Sequence, residues 1–243
     1  MAEPTENLRD IWVYLSATPL LHLTLTLIAY QIGDFAYQKF NRNPLLNPVM
    51  IAVALLVTML WATNTDYTDF FEGAQFVHFL LGPATVCLAV PLYRQFQKVR
   101  DNLLAIAVSL ISGSLFAAVS AVLIARVLGA SQDLVVAIAP KSVTAPIAMG
   151  ITEQFGGLPS LTAVLVILTG IIGAALGPVV MNLFRIRDWA ARGFAMGTAS
   201  HGIGTARALQ VDETAGAFAG IAMGLNAIAT AILLPLIWVW LVG

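Results

Sequence analysis

Six long apolar runs divide the chain, at about 19–38, 46–62, 74–93, 102–127, 160–184 and 214–241. Each approaches the roughly 20 residues that a helix needs to cross a hydrocarbon core of about 30 Å. Lipid offers no partner to backbone N–H and C=O groups, so spanning segments must be helices. The pattern therefore predicts about six transmembrane helices. Within residues 1–18, LRDIWVYL is too short to cross and is expected to lie at the interface.

The polar positions between the runs set an orientation. Lys39 and Arg42 follow the first run, Arg94, Lys98 and Arg100 the third, and Arg185, Arg187 and Arg192 the fifth. The other connections carry Asp66, Asp69 and Glu72, or Asp133, with Arg126 the only base nearby. Basic loops belong to the cytoplasm, which runs the odd-numbered spans inward and puts both termini outside.

That orientation constrains two segments. The fourth span ends outside and the fifth must start outside, so 135–152 has to enter the membrane and come back. The fifth ends inside and the sixth starts inside, so 195–210 does the same from the cytoplasm. Two re-entrant hairpins from opposite faces are predicted; a plain eight-span chain would move the Arg185–Arg192 cluster outside. Non-helical backbone at membrane depth must be buried in protein or line a cavity, and glycine and proline suit that: Pro140, Pro146 and Gly150 in one segment, Gly197, Gly202 and Gly204 in the other. Pro178 and Pro235 lie 57 residues apart (235 − 178) in the fifth and sixth runs. A hairpin plus a span, repeated in the opposite sense, is an inverted-repeat, secondary-transporter-like layout. The whole chain, 1–243, reads as a single all-α polytopic membrane domain.

Composition agrees. Of 243 residues 59% are hydrophobic and 10% charged, against about 25% charged in soluble domains, and mean hydropathy is +0.86. A net charge of -1 offers nothing to nucleic acid, and the single cysteine, Cys87, excludes an internal disulfide. The acidic start MAEPTENLRD lacks the basic region of a cleaved signal peptide.

Candidate chemistry gathers in the two hairpin segments. Lys141 lies in VVAIAPKSVTAPIAMG, where an ionisable residue is costly and functional by default; snorkelling to the interface is the bland alternative. Ser142 and Thr144 add hydroxyls, and Pro140 and Pro146 free backbone groups for a ligand. In MGTASHGIGTARAL (196–209), Thr198, Ser200, His201, Thr205 and Arg207 are candidates, with Gly197, Gly202 and Gly204 letting backbone N–H groups approach an anion. Arg207 can grip a carboxylate with two hydrogen bonds, or be an ordinary interfacial arginine near Asp212. His201 can carry a coupling proton, or be a satisfied buried histidine.

Elsewhere, HFLLGPATVCLAVPLYRQ breaks the third run at Gly82–Pro83 and again at Pro91. Such a discontinuous helix exposes backbone at mid-membrane, making Gly82, Pro83 and Thr85 a candidate backbone or ion site; a proline kink competes. Asn47 and Asn226 are intramembrane amides that hold helices together or meet a ligand. Asp34 is expected to pair with Lys39 or face water, and His22 to be structural. GIG is no dinucleotide fingerprint, TASHG falls short of a nucleophile elbow, and no metal-ligand or paired-carboxylate spacing occurs. Catalysis, a metal and a cofactor are not expected.

LLGPATVCLAVPLY, APKSVTAPIA and GTASHGIGTARA resemble, in order and spacing, the LrgB/CidB family of bacterial inner-membrane proteins. The resemblance spans nearly the whole chain, with Cys87 standing where the family pattern has alanine. It implies an antiholin-like protein that modulates murein hydrolase export and autolysis through a small holin-like partner of the LrgA/CidA type. It also implies kinship with the plastid glycolate/glycerate translocator and with pairs linked to pyruvate uptake. Lys141, Ser142, Thr144 and Pro146 fall in one family motif, and Thr198, Ser200, His201, Gly202, Gly204 and Arg207 in the other. Residues and resemblance together lead to a secondary transporter of small 2-hydroxy or 2-oxo monocarboxylates, with Lys141 and Arg207 neutralising the carboxylate and H+ or Na+ as coupling ion. Control of lysis through the small partner is the alternative, a passive anion pore a third reading, and a homo-oligomer is compatible with each.

Overall fold

The computed structural model describes residues 19–40, 46–80, 83, 86–87 and 89–242, and their regular structure is helical throughout. Two compact units emerge, Met1–Cys87 and Leu88–Gly243.

The first unit holds α1 (Pro19–Lys39), α2 (Pro48–Thr63) and α3 (Tyr67–Phe79). Gly33 lets α1 press on the start of α2, since an ideal Cβ there would lie 2.5 Å from the Pro48 carbonyl oxygen. Asn47 caps α2 by accepting the Val49 N–H at 2.8 Å, so this amide serves a helix terminus. His22 is buried edge-on against Phe70, joining α1 to α3 as a structural histidine would. Asp34 accepts from Gln38 Nε2, while Lys39 lies over the Phe35 ring. Of the two expectations for Asp34, a Lys39 partner or the surface, the structure shows an exposed hydrogen bond to Gln38 one helical turn on.

The second unit holds α4 (Ala89–Arg94), α5 (Phe96–Asp101), α6 (Leu103–Val127), α7 (Gln132–Ile138), α8 (Ala145–Gln154), α9 (Pro159–Leu183), α10 (Trp189–Val211) and α11 (Glu213–Val242). Among the described residues, Leu103–Val127, Pro159–Leu183 and Glu213–Leu241 are long and apolar enough to cross a membrane, and they coincide with the fourth to sixth predicted spans. The second span appears as the shorter apolar helix Pro48–Thr63. The first is a helix of spanning length that falls short in apolarity, and of the third α3 and α4 cover the two ends, with residues between them outside the described set. On α9, Val164, Leu168, Ile172, Leu176, Val179 and Leu183 recur every three or four residues and are all exposed. A stripe of that kind on a helix this apolar is a lipid-facing surface.

Residue pairings give each helix its direction. Ser200 and Met196 of α10 pack on Gly173 and Gly177 of α9, so those segments are antiparallel. Gly193 and Gly197 press on the backbone of Ala215 and Ala219, so this part of α10 runs parallel to α11. Past His201 the order reverses: Thr205 Oγ1 donates to the Ala219 carbonyl (3.3 Å), and Leu209 packs on Gly216. The chain therefore turns back at His201, whose φ of 41° and ψ of −131° interrupt the helix. Helix α6 runs parallel to α11: Ile106 clusters with Phe218, Ser114 meets Asn226, and Val122 clusters with Leu234. It follows that α6 and α9 are antiparallel, and α7–α8 leaves the end of α6 and returns to the start of α9. Gly157, just past α8, packs on Val136 of α7, and Thr162 Oγ1 donates to Thr152 Oγ1 at 2.8 Å. The core beside α7 and α8 is aliphatic, with Val122, Val135, Ile151 and Leu234 among its buried members, and Phe155 stacks on Trp238 at 4.3 Å at its edge.

Candidate functional site

Both turns release backbone carbonyls by necessity. In a continuous helix Ser142 O would accept from the N–H four residues on, but that residue is Pro146, which has none. Thr198 O would accept from Gly202, and the break at His201 interrupts the ladder between them. A buried carbonyl left unbonded costs about 1–3 kcal/mol. Asn226, at mid-α11 and 1% exposed, meets both demands. Its Nδ2 donates to Ser142 O and to Thr198 O, each at 3.1 Å. Its Oδ1 accepts from Ser114 Oγ of α6 and, at 3.5 Å, from Thr230 Oγ1. The two hydrogens and the oxygen of a single amide thus tie both turns to α6 and α11.

Around this clasp stand most of the residues singled out from the sequence. Lys141 is half-buried, and its Nζ donates to Ser142 Oγ at 3.2 Å. Thr144 is the residue before α8; its side chain makes no cap hydrogen bond. Thr198 Oγ1 donates to Phe194 O (2.9 Å), and Thr205 Oγ1 to His201 O (2.8 Å). His201 Nε2–H donates to Val166 O at 2.9 Å; a carbonyl can only accept, which fixes the tautomer at that nitrogen. Ser200 is 1% exposed, and its Oγ has no hydrogen-bond partner among the described residues.

The glycines divide by task. Gly170 and Gly173 of α9 admit His201 and Ser200, and Gly204 leaves room for the Met196 carbonyl oxygen, which an ideal Cβ would approach to 2.5 Å. Gly197 lies against Ala219 O, so its bare Cα serves packing on α11. Around Gly202 the nearest atom to an added Cβ is Met223 Sδ at 3.9 Å, which leaves room. Arg207 is not brought to Lys141: it lines a different cavity with Pro178, Trp189 and Arg192, because the chain past His201 runs back toward the α9–α10 turn. Gly82 and Thr85 lie outside the described residues, and Pro83 is exposed. Sequence reasoning missed Ser114 and Thr230, and the notch of Gly170, Gly173 and Gly177; their three- and four-residue spacing on one helix face was the available signal.

His201 has a backbone that favours glycine. His201→Gly is expected to melt higher than His201→Ala by about 1 kcal/mol, because both lose the Val166 bond and only alanine retains the strain. Thermal melting of the purified variants measures this, and a higher-melting alanine variant would show the turn to be relaxed.

The chain matches the LrgB-like family over residues 26–240. It is 33% identical over 218 residues to the Holin-like protein CidB of Staphylococcus aureus (strain Mu50 / ATCC 700699), covering 90% of this chain and 95% of that one. The Staphylococcus epidermidis (strain ATCC 12228 / FDA PCI 1200) Holin-like protein CidB is 33% identical over 92% of this chain and 96% of its own. YwbG of Bacillus subtilis (strain 168) is 37% identical over 87% and 93% respectively. No solved structure matches.

Proposed function

Because this chain belongs to the LrgB-like family, we propose that it is a holin-like membrane regulator, controlling murein hydrolase export and autolysis through a small holin-like membrane partner. The observation that carries this reading is the match, over nine-tenths of the chain, to relatives named Holin-like protein CidB. The architecture supplies a physical means. The two turns enter the helix bundle from opposite ends and are joined at Asn226, so one clasp can hold a barrier shut or let the turns separate. On this reading α7–α8 and the two halves of α10 are re-entrant hairpins, with both termini outside the inner membrane.

A second reading is favoured by Lys141. Half-buried beside Ser142, it gives a small 2-hydroxy or 2-oxo monocarboxylate a cation at the junction. Ser142, Ser200 and His201 would meet the second oxygen, H+ or Na+ would drive transport, and separating the turns in alternation would give access to each side.

One pair of assays separates them. The regulator reading expects Lys141→Met to leave partner-dependent autolysis unchanged in cells, since packing is preserved. It also expects no saturable uptake of labelled glycolate or pyruvate into proteoliposomes. Saturable uptake without the small partner, abolished by Lys141→Met, would overturn the regulator reading in favour of the transporter.

A further inference from the structure

One groove in the second unit is built unlike the surface that meets lipid. It lies between α6 and the first half of α10, with Ile106, Phe194 and Phe218 at its floor and a volume of about 470 Å³. Ala105, Ser109, Gly113 and Ala117 form the α6 wall at four-residue spacing. Ala191, Ala195 and Ala199 form the other wall at the same spacing, and they are the only exposed residues from Ala190 to Ser200. On α9 the exposed stripe from Val164 to Val180 is instead valine, leucine and isoleucine. Small residues on two facing walls let a further helix backbone come close, which is how helices associate within lipid.

Length and charge select the occupant. From Asn102 to Ala117 the α6 wall extends about 22 Å, most of the roughly 30 Å hydrocarbon core. That suits a transmembrane helix lying along α6 and α10, which run parallel here. The Ser109 side chain bonds to none of the described residues, so its hydroxyl is free for a bond between helices. At the mouth stands Asp188, the one ionisable residue lining the groove. Its Oδ1 accepts from Ala191 N, and it pairs with no base among the described residues. A phospholipid would set its phosphate against this carboxylate. The mouth lies beside Arg185, Arg187 and Arg192, on the cytoplasmic side in the orientation set by loop charge. Transmembrane helices carry Lys or Arg at that end, so a helix in the groove brings a base to Asp188.

We propose that this groove seats a transmembrane helix of the small holin-like partner, its backbone close to the two small-residue walls and a base on Asp188. The inference rests on the regulator reading and gives it a point of action. An ideal Cβ at Gly113 lies 3.2 Å from Thr198 Cγ2, so the walls meet at Thr198, and its carbonyl is one of the two that Asn226 holds. A helix seated in the groove bears directly on the clasp.

The test co-expresses the full-length chain with an affinity-tagged small protein of the LrgA/CidA type and measures co-purification in mild detergent. Wild type and Leu168→Trp, which alters the α9 lipid face, are expected to be recovered equally. Ala195→Trp fills the groove and should lower recovery at least about tenfold. Asp188→Asn keeps the helix cap without the charge and should lower it about two- to fivefold. Should Ala195→Trp not fold, Ser109→Phe obstructs the opposite wall and must give the same loss. Undiminished recovery by these variants, with wild type recovered, overturns the groove and leaves the regulator reading standing. No recovery by wild type overturns the proposal, and takes the regulator reading with it where autolysis is also indifferent to the small protein. A benzophenone attached at Ser109→Cys in a Cys87→Ala chain identifies the occupant by mass. An adduct with the small protein is expected; adducts only with lipid, with a second copy or within the chain overturn the proposal.

Discussion

Replacing Asn226 by leucine is expected to lower stability by about 2–3 kcal/mol, a drop of several degrees in melting temperature. Leucine keeps the branch at Cγ, so no cavity opens; the loss is that of the hydrogen bonds, with overpacking by the larger side chain adding to it. Ser142 O and Thr198 O both lose their Nδ2 donor, and neither regains a helical one, because Pro146 has no N–H and His201 breaks the ladder. Ser114 and Thr230 lose less, since a helical hydroxyl can turn to a carbonyl of the preceding turn. Asn226→Asp should be worse despite its shape, as it swaps two donors for a carboxylate facing two carbonyl oxygens. Melting of the purified variants decides: a leucine variant as stable as wild type would show that the amide holds nothing together.

Gly197→Val is expected to be still more damaging, about 3–5 kcal/mol, and to yield little monodisperse protein. An ideal Cβ at Gly197 falls 2.1 Å from Ala219 O, and one at Gly193 falls 2.0 Å from Ala215 O. These are backbone atoms of a long helix and cannot swing aside, so α10 and α11 must move apart. Separation would also withdraw Asn226 from Thr198. Gly224→Ala is the matched control, since nothing lies within 4 Å of its added Cβ; it should express and melt like wild type. Equal behaviour of Gly197→Val and Gly224→Ala would mean that the close α10–α11 contact is wrong.

Much of this was legible as pattern. The three longest apolar runs became α6, α9 and α11 because length and hydropathy alone specify a membrane helix. Loop charge and chain parity led to the expectation of re-entrant hairpins over 135–152 and 195–210; what the structure shows is a reversal of the chain at His201 and a turn between α7 and α8. Period and composition do not say which residue makes the turn. The glycines of MGTASHGIGTARAL looked suited to a loop, yet the segment is helical on both sides of one break, at His201. Gly197 and Gly204 are consumed by close packing instead. The unusual φ falls on a histidine, held by Val166 O and by the space at Gly170, contacts that lie far away in sequence. Pro146 was read as freeing a carbonyl for a ligand; the carbonyl is freed, and Asn226 takes it. Pairing Arg207 with Lys141 followed from charge, but the reversal at His201 carries Arg207 back to the Arg192 cavity. Of the third run, Gly82 and Thr85, where a break was expected, lie outside the described residues.

The central claim is that the turns at Ser142 and Thr198 meet. It is tested by cross-linking Ser142→Cys/Thr198→Cys with a short bismaleimide in a Cys87→Ala background, in membranes, followed by mass spectrometry of the digest. The account predicts an intrachain link between residues 142 and 198, and none in a Ser142→Cys/Arg207→Cys chain. Absence of the first link, or equal yield of the second, would contradict it.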